Sequence, residues 1–171
     1  KLLSIDPIVL SLGNVAIFNA LIAQESLSGE QVAKLRQIFA RRSAPDLAEF
    51  IVSVTLNNAD MFSALMKLEG DASILDKALG VFSDLPEAKS AIEDLIKIST
   101  QLNTADVEVM IDLAELKAYE YHTGVVFSAY NEDYSKALAQ GGRYNGLSAS
   151  FGKARAATGF SFDLKFLSQA Q

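Results

Sequence analysis

Cysteine is absent from this chain of 171 residues, and histidine occurs only once. Without cysteine the protein forms no disulfide bond, no thiolate metal site and no cysteine nucleophile. A single histidine with no nearby pair of carboxylates gives no zinc-binding pattern, so we expect no metal and no other cofactor. No apolar run reaches the roughly 18 residues of a membrane-spanning helix. No signal peptide is visible, and we expect a cytoplasmic protein without a membrane partner.

Positive charge is also scarce, because 15 lysines and arginines stand against 21 aspartates and glutamates and leave a net charge of -6. An acidic surface of this kind lacks the broad electrostatic footprint that nucleic acid requires, so we expect no nucleic-acid partner. Half of the residues are apolar, which predicts one domain, or one domain with a small insert. The chain opens at Lys1 almost directly into an apolar run, and we expect a fragment whose front part is missing.

The middle of the chain is predicted to be helical. Between residues 28 and 103, apolar residues recur at the spacing of one helix face. Ser28 with Gln31 three residues later matches a capping box, and Pro86 with Glu87 marks a further helix start. These signals predict about five helices, preceded by a short strand over 8–12 and a helix over 15–24.

After residue 103 the apolar period changes to two, which is the period of a half-buried strand. The pattern predicts strands over 107–113, 125–130, 141–144 and 156–162, and a terminal helix over 163–169. Short strand spacing without a strand–helix–strand repeat favours an antiparallel sheet. The predicted fold class is therefore α+β. Residues 1–25 and 104–171 would form one unit, and residues 26–103 would form a helical insert.

Aromatic and glycine residues cluster in the last third of the chain. All five tyrosines and the histidine lie between positions 119 and 144, and six of the ten glycines lie between 124 and 159. A packed core does not require this clustering. Backbone without side chains and aromatic rings with polar tips are what a ligand pocket uses, so we expect a binding site here.

Each candidate in this region also has a simpler interpretation. A lone histidine in an apolar strand, such as His122, is more often structural, and no nucleophile-elbow sequence supports a catalytic triad. The glycine pair before Arg143 either lets a ligand approach the backbone or forms a tight turn with a surface arginine, and alone it favours the turn. Gly159 marks either a kink in a strand or a close approach.

Acidic residues accompany the strand predicted over 107–113 and the segment that follows it. They are Glu108, Asp112, Glu115 and Glu120. Carboxylates are rarely buried without a partner, so we expect a solvated strand face rather than an acid–base pair.

Three segments taken together resemble the second half of the histidyl-tRNA synthetase catalytic domain. They are 116–127 (LKAYEYHTGVVF), 141–147 (GGRYNGL) and 157–164 (ATGFSFDL). In that family an Arg-Gly-Leu-Asp-Tyr-Tyr-Thr-Gly segment holds histidine, a Gly-Gly-Arg-Tyr-Asp turn follows, and a Gly-Phe strand leads into a helix with a catalytic arginine. The resemblance implies a partial class II aminoacyl-tRNA synthetase-like antiparallel sheet with a helical insert.

The departures from the synthetase pattern point to one of its paralogues. Lys117 stands in the place of a catalytic arginine, and Phe166 in the place of the ATP-binding arginine. A phenyl ring cannot replace a bidentate guanidinium on phosphate, and lysine is a poor substitute. The chain is therefore similar to the regulatory subunits of ATP phosphoribosyltransferase. That resemblance implies a non-catalytic subunit that joins the short-form catalytic subunit in a hetero-octamer and takes part in histidine feedback on the first step of histidine biosynthesis.

By residue-for-residue match, the resemblance also implies a vestigial or regulatory histidine site, with L-histidine as the candidate ligand. Its residues would be Lys117, Tyr119, Tyr121, His122, Tyr144 and Gly159. The alternative is a fragment of a genuine histidyl-tRNA synthetase, an enzyme that uses ATP and tRNA. Lys117, Phe166 and the acidic composition argue against that alternative.

Overall fold

The computed structural model of the protein describes residues 7–102, 107–116, 122–132, 134, 136–145 and 155–163. The helices and strands in these ranges are β1 Ile8–Asn14, α1 Val15–Ala23, α2 Gly29–Arg41, α3 Ala44–Val54, α4 Ala59–Lys67, β2 Glu69–Gly70, α5 Ile74–Val81, α6 Pro86–Leu102, β3 Val107–Asp112, β4 Val125–Tyr130, β5 Ala139–Tyr144 and β6 Ala157–Phe162. The helices predicted between 28 and 103 correspond to α2–α6, and the later predicted strands correspond to β3–β6. The predicted terminal helix lies, apart from its first residue, outside the described residues.

The strands form one mixed sheet in the order β2-β3-β1-β4-β5-β6. The pairing is antiparallel throughout, as expected, except that β1 and β3 run parallel. A parallel pair needs a long crossover connection, and the helices between β1 and β3 supply it. β2 lies within the helical segment and pairs with β3. The sequence did not predict β2, because two residues show no period.

The helices begin next to residues that satisfy their first backbone N–H groups. The Ser28 hydroxyl accepts a hydrogen bond from the Gln31 amide at 3.2 Å, and the Gln31 side chain accepts one from the Ser28 amide at 2.8 Å. The capping box at α2 is therefore confirmed. The start of α4 uses a distant carboxylate instead, because Glu25 accepts four hydrogen bonds from the backbone and side-chain N–H groups of Asn57 and Asn58 at 2.9 to 3.2 Å. This carboxylate joins the segment after α1 to the start of α4.

The core lies between the helices and one face of the sheet. Leu12, Phe127 and Gly141 oppose one another across β1, β4 and β5 and so point to the same face, here called the helix face. Leu12 is buried there against residues of the helices. No helix within the described ranges is long and apolar enough to cross a membrane.

Three phenylalanines from α1, α2 and α4 form the centre of the core. Phe18, Phe39 and Phe62 are fully buried, and their rings meet edge to face with centroids 5.1 to 6.4 Å apart. Such pairs add about 0.5 to 1.5 kcal/mol to the apolar burial itself. The helices and the sheet share this one cluster. The separation of a helical insert over 26–103 from a unit formed by 1–25 and 104–171 stays a prediction.

Asn14 fixes the junction between the sheet and the helices. It ends β1 and is 3% exposed. Its Oδ1 accepts a hydrogen bond from the Ala16 amide at 3.1 Å, which caps α1, and its Nδ2 donates to the Ala91 carbonyl of α6 at 3.2 Å. One buried side-chain amide therefore completes the start of one helix and ties it to another.

Replacing Asn14 by alanine should lower the free energy of unfolding by about 2 kcal/mol. The lost cap costs roughly 1 kcal/mol, and the Ala91 carbonyl left without its donor costs roughly 1 kcal/mol or more. Asn14→Ser keeps a cap acceptor but is too short to donate to Ala91, so it should lose about half as much. Chemical denaturation of the two variants separates the free energy of the cap from that of the hydrogen bond to Ala91. Equal losses in the two variants would show that the cap adds nothing.

Candidate functional site

Three glycines and one valine form a row across four strands on the other face of the sheet. Gly13 of β1 opposes Val126 of β4, Val126 opposes Gly142 of β5, and Gly142 opposes Gly159 of β6. Directly opposed residues point to the same face, so the four positions share one face of the sheet. We call this the His122 face, because the imidazole of His122 lies on it.

The imidazole of His122 rests on Gly142. A Cβ atom at position 142 would lie 2.7 Å from the Val125 carbonyl oxygen, 2.8 Å from Cδ2 of His122 and 2.9 Å from its Nε2, closer than real Cβ atoms approach other atoms. The neighbouring strand and the imidazole together therefore require glycine at this position. His122 is 6% exposed, so its imidazole is a buried polar group held against strand backbone rather than a surface side chain.

Tyr144 covers the next glycine of the row. A Cβ atom at position 159 would lie 3.2 Å from the Tyr144 hydroxyl and 3.4 Å from its Cε1. The ring centroids of His122 and Tyr144 are 6.4 Å apart, with an angle of 58° between the planes. An imidazole beside a phenol can bind a polar ligand through hydrogen bonds and ring contacts. Among the residues that the structure describes, no group of three acidic or histidine side chains could hold a metal ion.

Backbone hydrogen bonds fix the segment that carries His122. The Thr123 amide donates to the Arg143 carbonyl at 2.9 Å, and the Thr123 hydroxyl accepts from the Asn145 amide at 3.1 Å. The Gly124 carbonyl accepts from the first amide of α1 at 3.1 Å. The histidine is therefore held between the end of β5 and the start of α1.

Two acidic residues are buried, so the expected solvated face is wrong for them. Asp112 is 8% exposed and Glu115 is 9% exposed. Glu108 is exposed as predicted, and Glu120 lies outside the described residues. The Cβ of Glu115 would be only 3.1 Å from a Cβ on Gly13. Glu115 is therefore a third side chain that lies over a glycine of the row.

Arg42, the residue that follows α2, provides the partner that makes this burial possible. Its guanidinium forms an ion pair with Oδ2 of Asp112, and the Ala114 amide donates to Oδ1 of the same carboxylate at 3.0 Å. Burial alone lowers the pKa of Arg42, but the hydrogen bond and charge of Asp112, together with the charges of Glu69 and Glu115, raise that pKa above its ordinary value. The arginine stays charged, and Asp112 is satisfied on both oxygens.

Three of the residues predicted for the site lie on the His122 face: His122, Tyr144 and Gly159. Four other residues named from the sequence lie outside the described residues: Lys117, Tyr119, Tyr121 and Phe166. The sequence did not predict that Gly13 belongs to this row or that the His122 ring packs against Gly142. Only the strand register brings these glycines together, and register is not visible in a local pattern.

The glycine pair Gly141 and Gly142 lies inside β5, so the turn favoured from the sequence is wrong. A Cβ on Gly141 would collide with Phe160 of β6 at 2.7 Å, and a Cβ on Gly142 with His122. The close approach to the backbone is therefore made by the protein's own neighbouring groups. Arg143 is exposed, as the interpretation of a tight turn with a surface arginine required.

The sheet and its helical crossover define a class II aminoacyl-tRNA synthetase-like fold. The structure is similar to an ATP phosphoribosyltransferase regulatory subunit/histidyl-tRNA synthetase from Bacillus halodurans C, with a TM-score of 0.82 and 24% identity over 98% of this chain and 45% of that chain. It is also similar to the ATP phosphoribosyl transferase (HisG:HisZ) complex from Thermotoga maritima, with a TM-score of 0.65 and 19% identity over 92% of this chain and 54% of that chain. At these identities the likeness shows the fold, and the predicted fold class is confirmed.

The sequence profile of histidyl-tRNA synthetase matches residues 1–167, and the chain belongs to that family. Within it, the ATP phosphoribosyltransferase regulatory subunit of Paraburkholderia xenovorans (strain LB400) is 39% identical over 165 residues, which is 96% of this chain. The resemblance inferred from the three segments is therefore confirmed. The chain spans 43% of the length of that relative, so the activity and partners of the whole protein are matters of proposal.

Gly142→Ala should lower the free energy of unfolding by about 1 to 3 kcal/mol, because the added Cβ would collide with the Val125 carbonyl and the His122 ring. Gly80→Ala in α5 is the matched control, since nothing lies within 4 Å of a Cβ there. Alanine at that helical position should stabilise the protein by about 0.5 to 1 kcal/mol. Thermal or chemical denaturation compares the two. A Gly142→Ala variant as stable as the wild type would mean that neither the Val125 carbonyl nor the imidazole packs closely against this position.

Proposed function

We propose that the protein is a non-catalytic regulatory subunit of ATP phosphoribosyltransferase, required for the first step of histidine biosynthesis and for its feedback regulation by histidine. The observation that carries the proposal is the 39% identity, over 96% of the chain, to a relative of that name. The proposed partner is the short-form catalytic subunit, in a hetero-octamer in the cytoplasm. The likeness to the HisG:HisZ complex from Thermotoga maritima supports this partnership.

The residues of the candidate site support binding rather than catalysis. Lys117 and Phe166 stand where the synthetase has arginines, and a phenyl ring offers no charge to a phosphate. His122 and Tyr144 offer hydrogen bonds and ring faces over the glycine row. We therefore propose no enzymatic activity for this chain.

The proposed ligand of the site is L-histidine. Its contacts would come from Lys117, Tyr119, Tyr121, His122, Tyr144 and Gly159. The His122 and Tyr144 rings are neighbours, with centroids 6.4 Å apart, so one ligand could contact both, and tyrosine hydroxyls in such places bind polar atoms. The glycine at 159 would let the ligand lie close to the strand beside the Tyr144 ring.

Exchange of pyrophosphate into ATP separates the regulatory subunit from the alternative, a histidyl-tRNA synthetase fragment. The full-length protein should show no histidine-dependent exchange, because the arginines that clamp ATP are replaced. It should co-purify with the short-form catalytic subunit and increase that subunit's activity. The histidyl-tRNA synthetase of the same cell is the positive control. Exchange at a rate comparable with that control would favour the synthetase alternative and overturn the proposal.

Tyr144→Ala should weaken histidine binding by about tenfold, because it removes one ring face and one hydroxyl from the proposed site. Calorimetric titration of the full-length protein measures the affinity. Tyr130→Ala is the control, since Tyr130 is a 36% exposed residue at the far end of β4, and it should bind histidine normally. Unchanged binding by Tyr144→Ala would place the ligand elsewhere. No binding by the wild type would make these residues a structural relic.

A further inference from the structure

Arg42 has an unusual backbone conformation for its residue type. It caps the C-terminus of α2 with φ 55° and ψ 36°, in the left-handed region. Within the described ranges, Arg42 and Thr55 are the non-glycine residues with positive φ. Glycine is the favoured residue at such a cap, because a Cβ atom is strained there. An arginine at this cap is therefore expected to make side-chain contacts that glycine could not make.

That side chain reaches the end of β3, at the start of the turn over 112–115. The guanidinium forms an ion pair with Asp112 and a second one with Glu69 at 3.4 Å. The Arg42 and Asp112 side chains are 31% and 11% exposed, and a charged hydrogen bond that is shielded from water is strong. Glu69 is 59% exposed and contributes little.

The turn over 112–115 is also held by backbone contacts. The Glu115 amide donates to the Asp112 carbonyl at 3.2 Å, and the Leu113 amide donates to the carbonyl just before β2 at 3.1 Å. The turn also packs against β1. Because Gly13 has no side chain, there is room for the Asp112 carbonyl, which would lie 2.6 Å from a Cβ at that position. Arg42 adds a charged side-chain contact from the end of α2 to this turn, beside the backbone hydrogen bond to Leu68, the residue that follows α4.

We propose that Arg42 is a positioning residue for the histidine site, acting through the turn over 112–115. The inference rests on the proposed function, because it concerns the same site. Lys117, the first residue of that site, follows the turn by two residues. Glu115 within the turn lies over the same glycine row as His122. A displacement of α2 relative to β3 would therefore move Glu115 relative to the glycine row that carries His122 and change the histidine affinity.

The test removes the ion pair without straining the backbone or leaving the Asp112 carboxylate without its partner. Arg42→Gly keeps the left-handed cap, and Asp112→Asn in the same protein removes the carboxylate that would otherwise lose its partner. We expect histidine affinity, measured by calorimetric titration of the full-length protein, to fall about tenfold. The melting temperature should stay close to that of the wild type. Arg42→Lys, which keeps the charge but lacks the planar fork, should bind with intermediate affinity.

Thr55→Gly is the matched control. It makes the same backbone change at the other left-handed cap, at the end of α3, where Thr55 is exposed. Histidine affinity should be unchanged in this variant. An affinity loss equal to that of the Arg42 variant, or a loss in the Arg42 variant that a fall in melting temperature fully accounts for, would show a purely structural role and overturn the proposal.

Hydrogen exchange provides a readout that needs no histidine. Peptides over 113–124 should exchange about tenfold faster in the Arg42 and Asp112 double variant, since local opening becomes easier, while peptides of α6 should not change. Unchanged exchange over 113–124 overturns the role of Arg42 whether or not the protein binds histidine. Faster exchange in a protein whose wild type does not bind histidine would count against the proposed ligand alone.

Discussion

The absence of side chains at three positions of one cross-strand row decides which face of the sheet can hold a site. Other groups lie close against each glycine of the row: the Asp112 carbonyl and the Cβ of Glu115 at Gly13, the Val125 carbonyl and the imidazole of His122 at Gly142, and the Tyr144 ring at Gly159. A Cβ atom at position 142 would lie within 2.9 Å of the imidazole, so no other residue can occupy that position while the ring stays in place. The close approach of these polar side chains to the strand backbone is the condition on which the proposed histidine binding depends.

The two faces of the sheet differ in that the helices of the described ranges pack against one of them. On the helix face, burial of apolar side chains supplies most of the stability, and Asn14 ties β1 to α1 and α6. On β6 this covering ends, since Phe160 and Phe162 stack on each other at 5.9 Å and remain 66% and 47% exposed. With the apolar core on one side, polar and aromatic side chains on the other side can be arranged for binding without weakening that core.

Local patterns in the sequence predict the elements better than the contacts between them. The strand over 125–130 has the predicted bounds, and α6 begins at the predicted Pro86, because period and capping are short-range signals. The parallel pairing of β1 with β3 depends on where the whole helical crossover returns the chain. Asp112 was expected on a solvated face because its partner, Arg42, lies 70 residues away in sequence. The burial of a charge is decided by such a partner, and no window of sequence contains both.

The candidate site could be predicted only in part, and for a related reason. His122, Tyr144 and Gly159 were named from the resemblance to a family, whereas periodicity alone gave the histidine a structural role. The glycine pair in β5 did indicate a close approach to the backbone. Which group makes that approach follows from the strand register, and here it is the side chain of His122 itself. The sequence shows which positions are glycine, and the tertiary structure determines which group packs against each of them.

The ion pair between Arg42 and Asp112 is difficult to explain as a source of stability. A left-handed backbone costs a residue other than glycine roughly 1 to 2 kcal/mol, and apolar replacement of a buried ion pair is often neutral or stabilising. An ion pair differs from an apolar contact in being directional, since a planar guanidinium accepts a carboxylate in few orientations. It therefore fixes the distance between the end of α2 and the end of β3, which a contact between two apolar side chains would leave adjustable. In the proposed regulatory role, a fixed distance between the end of α2 and the end of β3 would transmit a displacement of the helices to the turn that follows β3.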